Sequence, residues 1–100
     1  MNPPRPLALR RSSRARADIL DIWSYIAERN PAAADRVLDA IERIFGAIAA
    51  HPLIGRARPE LAEGIRSFVV MSWVVFYRVE NDFVDIIPVV HGARDDQLEF

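Results

Sequence analysis

Six side chains in the second half of the chain are of types that could do chemistry together: Arg58, Glu60, Arg66, Arg78, His91 and Arg94. Brought onto one face of a sheet, they would suit metal-free cleavage of a phosphodiester. His91 or Glu60 would take the proton of a ribose 2′-hydroxyl, and the arginines would hold the phosphate and its developing charge. The same residues have a plainer reading. Arg66 and Arg78 would be strand-edge charges paired with Glu or Asp, and His91 a turn residue bonding backbone near Gly92. Scattered polar residues of this kind are a weak signal until geometry joins them. Other chemistries lack their residues. There is no cysteine, hence no disulfide framework or thiolate chemistry. His51 and His91 have no ligand spacing to each other or to a carboxylate pair, so no metal and no cofactor is expected. No phosphate-binding glycine motif and no nucleophile elbow occurs.

The stretch that must position most of these residues is 65–95, rich in β-branched and aromatic side chains. It divides into three expected strands, 65–71, 73–79 and 83–90. Glu80-Asn81-Asp82 is a polar break that reads as a hairpin turn. The first turn, at Met71-Ser72, has no Gly or Asn to accept a positive φ, so its register is open. In the middle strand Trp73, Val75, Tyr77 and Val79 share one face, and Val74, Phe76 and Arg78 the other. Both faces are mostly apolar, which suits a central strand or one with a face kept for a partner. Pro88 cannot donate to a ladder, so the last strand is expected at an edge or with a bulge there.

Upstream the period changes. Residues 6–11 alternate weakly and read as a short first strand, with Ser12 and Ser13 as helix N-cap candidates. Ile19, Ile22, Trp23 and Ile26 follow at helical spacing, opposite Asp18, Asp21, Ser24 and Glu28. Asn30-Pro31 stops this helix and starts the next. The second helix carries Ala34, Val37, Leu38, Ile41, Ile44, Phe45 and Ile48 in the same period, and His51-Pro52 ends it. So short a connection makes an antiparallel helical hairpin. Trp23 reads first as a core residue; the alternative is that Trp23 or Tyr25 rims a groove for a partner. Residues 51–64 form an irregular loop, with room for one helical turn at 59–62.

The 100 residues make one domain, 1–100. Its parts are an arm and first strand (1–13), a helical hairpin (14–50), a loop (51–64), a three-stranded meander (65–95) and a tail (96–100). A chain of this size buries roughly two-thirds of its unfolded surface, enough for one core. No apolar run approaches a membrane span and no secretion signal is present, so a cytoplasmic protein is expected. The net charge is -1. Arg5, Arg10, Arg11, Arg14 and Arg16 nevertheless precede the first acid, Asp18, and could meet phosphate or an acidic partner. All thirteen basic residues are arginine, which fits a genome-composition bias. A dedicated RNA binder is usually more basic.

Four stretches carry a family resemblance: residues 18–26 (DILDIWSYI); Asn30-Pro31 with Ala32, Ala33 and Ala34; His51-Pro52-Leu53-Ile54-Gly55-Arg56 with Arg58-Pro59-Glu60-Leu61; and Arg66-Ser67 followed by Val75-Phe76-Tyr77-Arg78 and Val90-His91-Gly92-Ala93-Arg94-Asp95. In this order and spacing, over residues 14–95, the chain resembles the ParE/RelE toxin superfamily, and more its ParE branch. The resemblance implies an α+β fold of order β-α-α-β-β-β, a helical hairpin on one face of a mainly antiparallel four-stranded sheet. It also implies the toxin half of a type II toxin–antitoxin pair. Its antitoxin would be ParD-like, with a ribbon-helix-helix DNA-binding domain, and operator DNA would be met only through it.

ParE-type toxins poison DNA gyrase and RelE-type toxins cleave mRNA on the ribosome; the shared fold does not choose between them. The slight acidity, and Asp95, Asp96 and Glu99 near where a phosphate would sit, favour gyrase. A third reading is a weakly toxic member acting mainly in operon control. Target contact would fall to Arg58, Arg66, Arg78, His91 and Arg94. In the nuclease reading Glu60, Arg66, His91 and Arg94 would be catalytic. Antitoxin contact would involve Trp23, Tyr25, Arg14 and Arg16. Pro88 departs from the family pattern, where a ladder donor is expected.

Overall fold

The computed structural model describes residues 6–92; residues 1–5 and 93–100, and with them Arg5 and Arg94, lie outside the described part. The elements run β1 (Ala8–Arg11), α1 (Ser13–Ala27), α2 (Pro31–Ala50), β2 (Arg56–Ala57), β3 (Ile65–Val70), β4 (Trp73–Val79) and β5 (Phe83–His91). The architecture is α+β, as expected, but the sheet has five strands in the order β1-β5-β4-β3-β2. The added strand is β2, two residues inside the expected loop, paired antiparallel with Ser67 and Arg66. Pairs as short as this leave no period in a sequence. Downstream of it the expected helical turn is a hydrogen-bonded turn, Leu61 N–H donating to the Arg58 carbonyl at 3.1 Å.

Local chemistry sets the helix limits. The Ser12 side chain caps α1 by accepting from Ala15 N–H at 3.0 Å. Asn30 caps α2 by accepting from Ala33 N–H at 3.1 Å, with Pro31 opening the helix. The two helices cover one face of the sheet, here the inner face. Ile19, Val37, Ile41, Phe45 and Ile48 pack there against Val70, Val75, Tyr77, Val84, Ile86 and Val89. Ile22 and Ile26 sit at the margin of this core, half-buried. Trp23 is not a core residue: it is 36 % exposed, and its indole N–H donates to Asp35 at 3.0 Å across the helix pair. The helical period put it on the apolar stripe. The indole sits on the flank of that stripe, lining the groove between the two helices.

Pro88 resolves into a bulge within a central strand. Val75 pairs with Val89 and Tyr77 with Ile86, so Ile87 and Pro88 together oppose Phe76. β5 lies between β1 and β4, so it is not an edge strand. β1 pairs with it in parallel and stops at Arg11, opposite Ile86. Beyond that point side chains satisfy the β5 backbone. The Ser12 hydroxyl donates to the Ile87 carbonyl at 2.8 Å, and Val89 N–H donates to the Asp18 carboxylate at 3.0 Å. The open register at Met71-Ser72 also resolves. Val70 pairs with Trp73 across a two-residue turn, and Met71 takes a φ of 55° in place of a glycine. Among the described residues no helix is long and apolar enough to cross a membrane.

Ile41 is 1 % exposed at the centre of the inner core. Ile41→Ala is expected to lower stability by ~2–5 kcal/mol through the cavity it leaves. A chemical-denaturation midpoint measured at constant m-value checks this; a loss under ~1 kcal/mol would place the helix stripe on the wrong side.

Candidate functional site

The candidate site is built around the loop between α2 and β3, and the sheet dictates its shape. Tyr77 lies in the middle of β4, fully buried on the inner side. Its hydroxyl donates to the Pro52 carbonyl and accepts Gly55 N–H, both at 2.8 Å. A Cβ on Gly55 would stand 2.5 Å from that hydroxyl and 2.8 Å from the Ser67 carbonyl oxygen, so only glycine fits. Arg66 is paired with Tyr77 in the ladder and therefore shares its face. Its guanidinium donates to the Gly55 and Leu53 carbonyls at 3.0 and 3.1 Å. Tyr77 and Arg66 thus hold the same four-residue segment, 52–55.

On the outer face, away from the helices, the loop is held by Arg58. Its Nε donates to Glu60 at 2.6 Å and an Nη to the Ser67 hydroxyl at 3.1 Å, while the guanidinium lies 5.6 Å from the centre of the Phe76 ring. Arg78 stands on the same outer face, between Ile65 on β3 and Asp85 on β5. The hydrogen bond from Arg58 holds the exposed Glu60 carboxyl below its ordinary range, with Arg58 and Arg56 adding electrostatic attraction. A carboxylate lowered in this way is a weaker base, the opposite of what proton abstraction near neutral pH requires.

His91 is elsewhere. It pairs with Trp73 at the far end of β4 and β5, on the face carrying Val75 and Tyr77, and meets the Trp73 ring edge-on at 6.2 Å. Between Trp73 and Arg78 run five strand positions, roughly 17 Å. The six residues that sequence placed together therefore divide. Arg58, Glu60 and Arg78 are gathered on the outer face. Arg66 lies on the inner side at the loop, His91 on the inner side at the opposite end, and Arg94 outside the described residues. Among the described residues no three His, Asp or Glu side chains cluster as a metal site would need.

A second candidate surface lies on α1. Arg14, Arg16 and Tyr25 are exposed there, with Leu20 63 % exposed beside the half-open Trp23. Arg29 stacks over the Tyr25 ring at 5.3 Å. Behind Trp23 a shallow groove between the helices is floored by Ile19, Ala34 and Leu38. The N-terminal arginines are not one uniform patch. Arg10 lies over Phe83, and Arg11 lies over Phe45 and pairs with Glu42.

The residues that the sequence left without a role are Tyr77, Gly55, Ser67 and Asp18. Each acts on main chain or on a side chain of another element, so no period along a single element marks it.

A family model described as the ParE toxin of type II toxin–antitoxin systems matches residues 9–96. Toxin ParE1 of Caulobacter vibrioides is 40 % identical over 88 residues, covering 86 % of this chain and 90 % of the relative. Among solved structures, a chromosomal ParDE system of P. aeruginosa superposes with a TM-score of 0.74 at 18 % identity, over 85 % of this chain and 95 % of that one. The RelBE2 toxin–antitoxin complex of Mycobacterium tuberculosis does so with a TM-score of 0.62 at 28 % identity, over 86 % and 98 %.

Two outcomes are expected at this site. Tyr77→Phe leaves the Gly55 N–H and Pro52 carbonyl without their partner and should cost ~1–3 kcal/mol, with faster amide exchange at Gly55. Unchanged exchange there would remove Tyr77 as the anchor. Glu60 should titrate below the ordinary 4.5 by carboxyl NMR and return toward it in Arg58→Gln. Since its folded value is depressed, the stabilisation it brings is present above the unfolded value and lost as pH falls through the folded one.

Proposed function

The chain belongs to the ParE toxin family and is the toxin component of a type II toxin–antitoxin system, and from that premise we propose that it arrests growth by poisoning DNA gyrase through direct contact. The observation that carries this reading is the division of the would-be catalytic residues. His91 stands on the opposite face from Glu60, several strand positions away, while Arg58 and Arg66 are engaged in fixing the loop. Among the described residues the carboxylate beside these arginines, Glu60, is held below its ordinary range by Arg58 and is the weaker base for it, and His91 stands at the other end of the sheet. The net charge of -1 points the same way, since docking into ribosomal RNA draws most of its affinity from positive charge. A protein target needs neither. The loop segment with Leu53 and Ile54 exposed, together with Arg56, Arg58 and Arg78, offers the mixed apolar and cationic surface that a protein contact uses.

Neutralisation would come from a ParD-like antitoxin, as the toxin–antitoxin complexes among the structural relatives support. The exposed side chains of α1, with Arg16, Leu20 and Trp23 on one flank and Arg14 and Tyr25 on the other, are the proposed contact. Their apolar members would receive a helix and their arginines an acidic segment. The pair would act in the cytoplasm, where gyrase is. A neighbouring gene for a small ribbon-helix-helix protein is expected.

A second reading rests on the RelBE2 likeness, at 28 % identity: a ribosome-dependent mRNA endonuclease. Expressing the chain without antitoxin separates the two. Gyrase poisoning should give filamentation, a DNA-damage response and trapped gyrase–DNA breaks, with mRNA intact. Codon-positioned mRNA cuts that vanish in His91→Ala or Glu60→Ala would overturn it. No growth effect at confirmed expression would overturn both and leave a role in operon control.

A further inference from the structure

Two neighbouring branched side chains stand in solvent on a loop segment whose main chain is tied down. Leu53 is 71 % and Ile54 45 % exposed. Beneath them the Ile54 N–H donates to the His51 carbonyl at 3.0 Å. The Pro52 carbonyl and the Gly55 N–H share the Tyr77 hydroxyl. The Leu53 and Gly55 carbonyls share the Arg66 guanidinium. An apolar pair on a mobile loop gives up much of its binding free energy to the ordering of that loop. Here the backbone is ordered before any partner arrives, and only side-chain rotamers remain to be fixed. A surface prepared in this way is suited to contact, and the apolar pair is its most desolvatable part.

The surroundings select the kind of partner. Residues 43–59 include Arg43, Arg56 and Arg58 but no Asp or Glu. Arg58 is half-buried and bonded to Glu60 and Ser67. Arg56, two residues beyond Ile54, is exposed. Two copies of the chain meeting through this loop would bring their Arg56 side chains near each other, a like-charge contact that disfavours self-pairing. A different protein with an apolar pocket bordered by carboxylates matches both the pair and the charge beside it.

We propose that Leu53 and Ile54 are the anchor of the toxin's contact with DNA gyrase, entering an apolar pocket whose acidic border meets Arg56. Arg66 and Tyr77 are positioning residues, which touch the loop and not the target. The inference rests on the gyrase reading above. It goes further in separating the anchor from Arg58 and Arg78, which stand at the periphery of the contact.

Isothermal titration of the full chain with purified DNA gyrase tests this. Leu53→Ala/Ile54→Ala should keep the unfolding midpoint, since both side chains are exposed, and weaken binding by at least about tenfold. The loss should be the same at low and high salt, whereas that of Arg56→Gln should shrink as salt rises. Leu53→Asp should bind more weakly than Leu53→Arg; the reverse order would overturn the acidic border. Wild-type affinity in the double variant would overturn the anchor and leave the gyrase reading standing. No binding by the unaltered chain would overturn both. Self-association of the free chain that the double variant abolishes would assign the pair to a second copy and overturn the proposal.

Discussion

The Tyr77 hydroxyl sits inside the sheet layer with no access to water, so it must find both a donor and an acceptor there. It finds them in Gly55 and Pro52, 22 and 25 residues earlier in the chain. Two buried hydrogen bonds, each worth ~1 kcal/mol net, are modest as stability. As positioning they decide more. They fix where the chain leaves α2, and Arg66 grips the same segment through two more carbonyls. With residues 53–55 held, Arg56 and Ala57 fall into register with β3, and Arg58 arrives over Phe76. The cationic outer face is thus a consequence of a hydroxyl on the inner side of the sheet.

A comparable constraint ties the helical layer to β5. The bulge at Ile87 and Pro88 takes the residue that cannot donate out of the ladder, and the end of β1 leaves neighbouring backbone groups needing partners. Ser12 and Asp18 supply them from the first turns of α1. Ser12 serves twice, as helix cap and as donor to the sheet, so the start of α1 cannot shift along its axis without losing both. Helix register against the sheet is set by these polar contacts, and the apolar stripe fills in behind them.

These two constraints give the toxin two separate surfaces. One is the outer face of the sheet, apolar and arginine-bearing, shaped by the loop. The other is α1, where Trp23 is braced by Asp35 on one flank and Tyr25 by Arg29 on the other. A toxin held by an antitoxin and released onto a target has use for surfaces that can be covered independently. Of the arginines that resembled a catalytic set, Arg58 is engaged with Ser67 and Glu60 and Arg66 with main chain.

Periodicity alone determined the helical hairpin, its Asn30-Pro31 junction, the three strands of the meander and most of the inner core. Those features are local or repeat along one element, and binary patterning records them directly. The family, too, was legible, because its motifs recur in order over most of the chain. Tertiary structure decided what no period can carry. β2 is two residues long and exists because Gly55 is held. Trp23 follows the helical stripe but stands at the groove between the helices, part-exposed and bonded to Asp35. Met71 adopts a left-handed φ because the strands on either side pair without slack. The division of Arg58, Glu60, Arg66, Arg78 and His91 between two faces and two ends was the least readable of all. Which side of a strand a residue occupies follows from alternation. Whether residues on different strands meet depends on the register between strands, and that is fixed by contacts such as Tyr77 with Gly55, far apart in the chain.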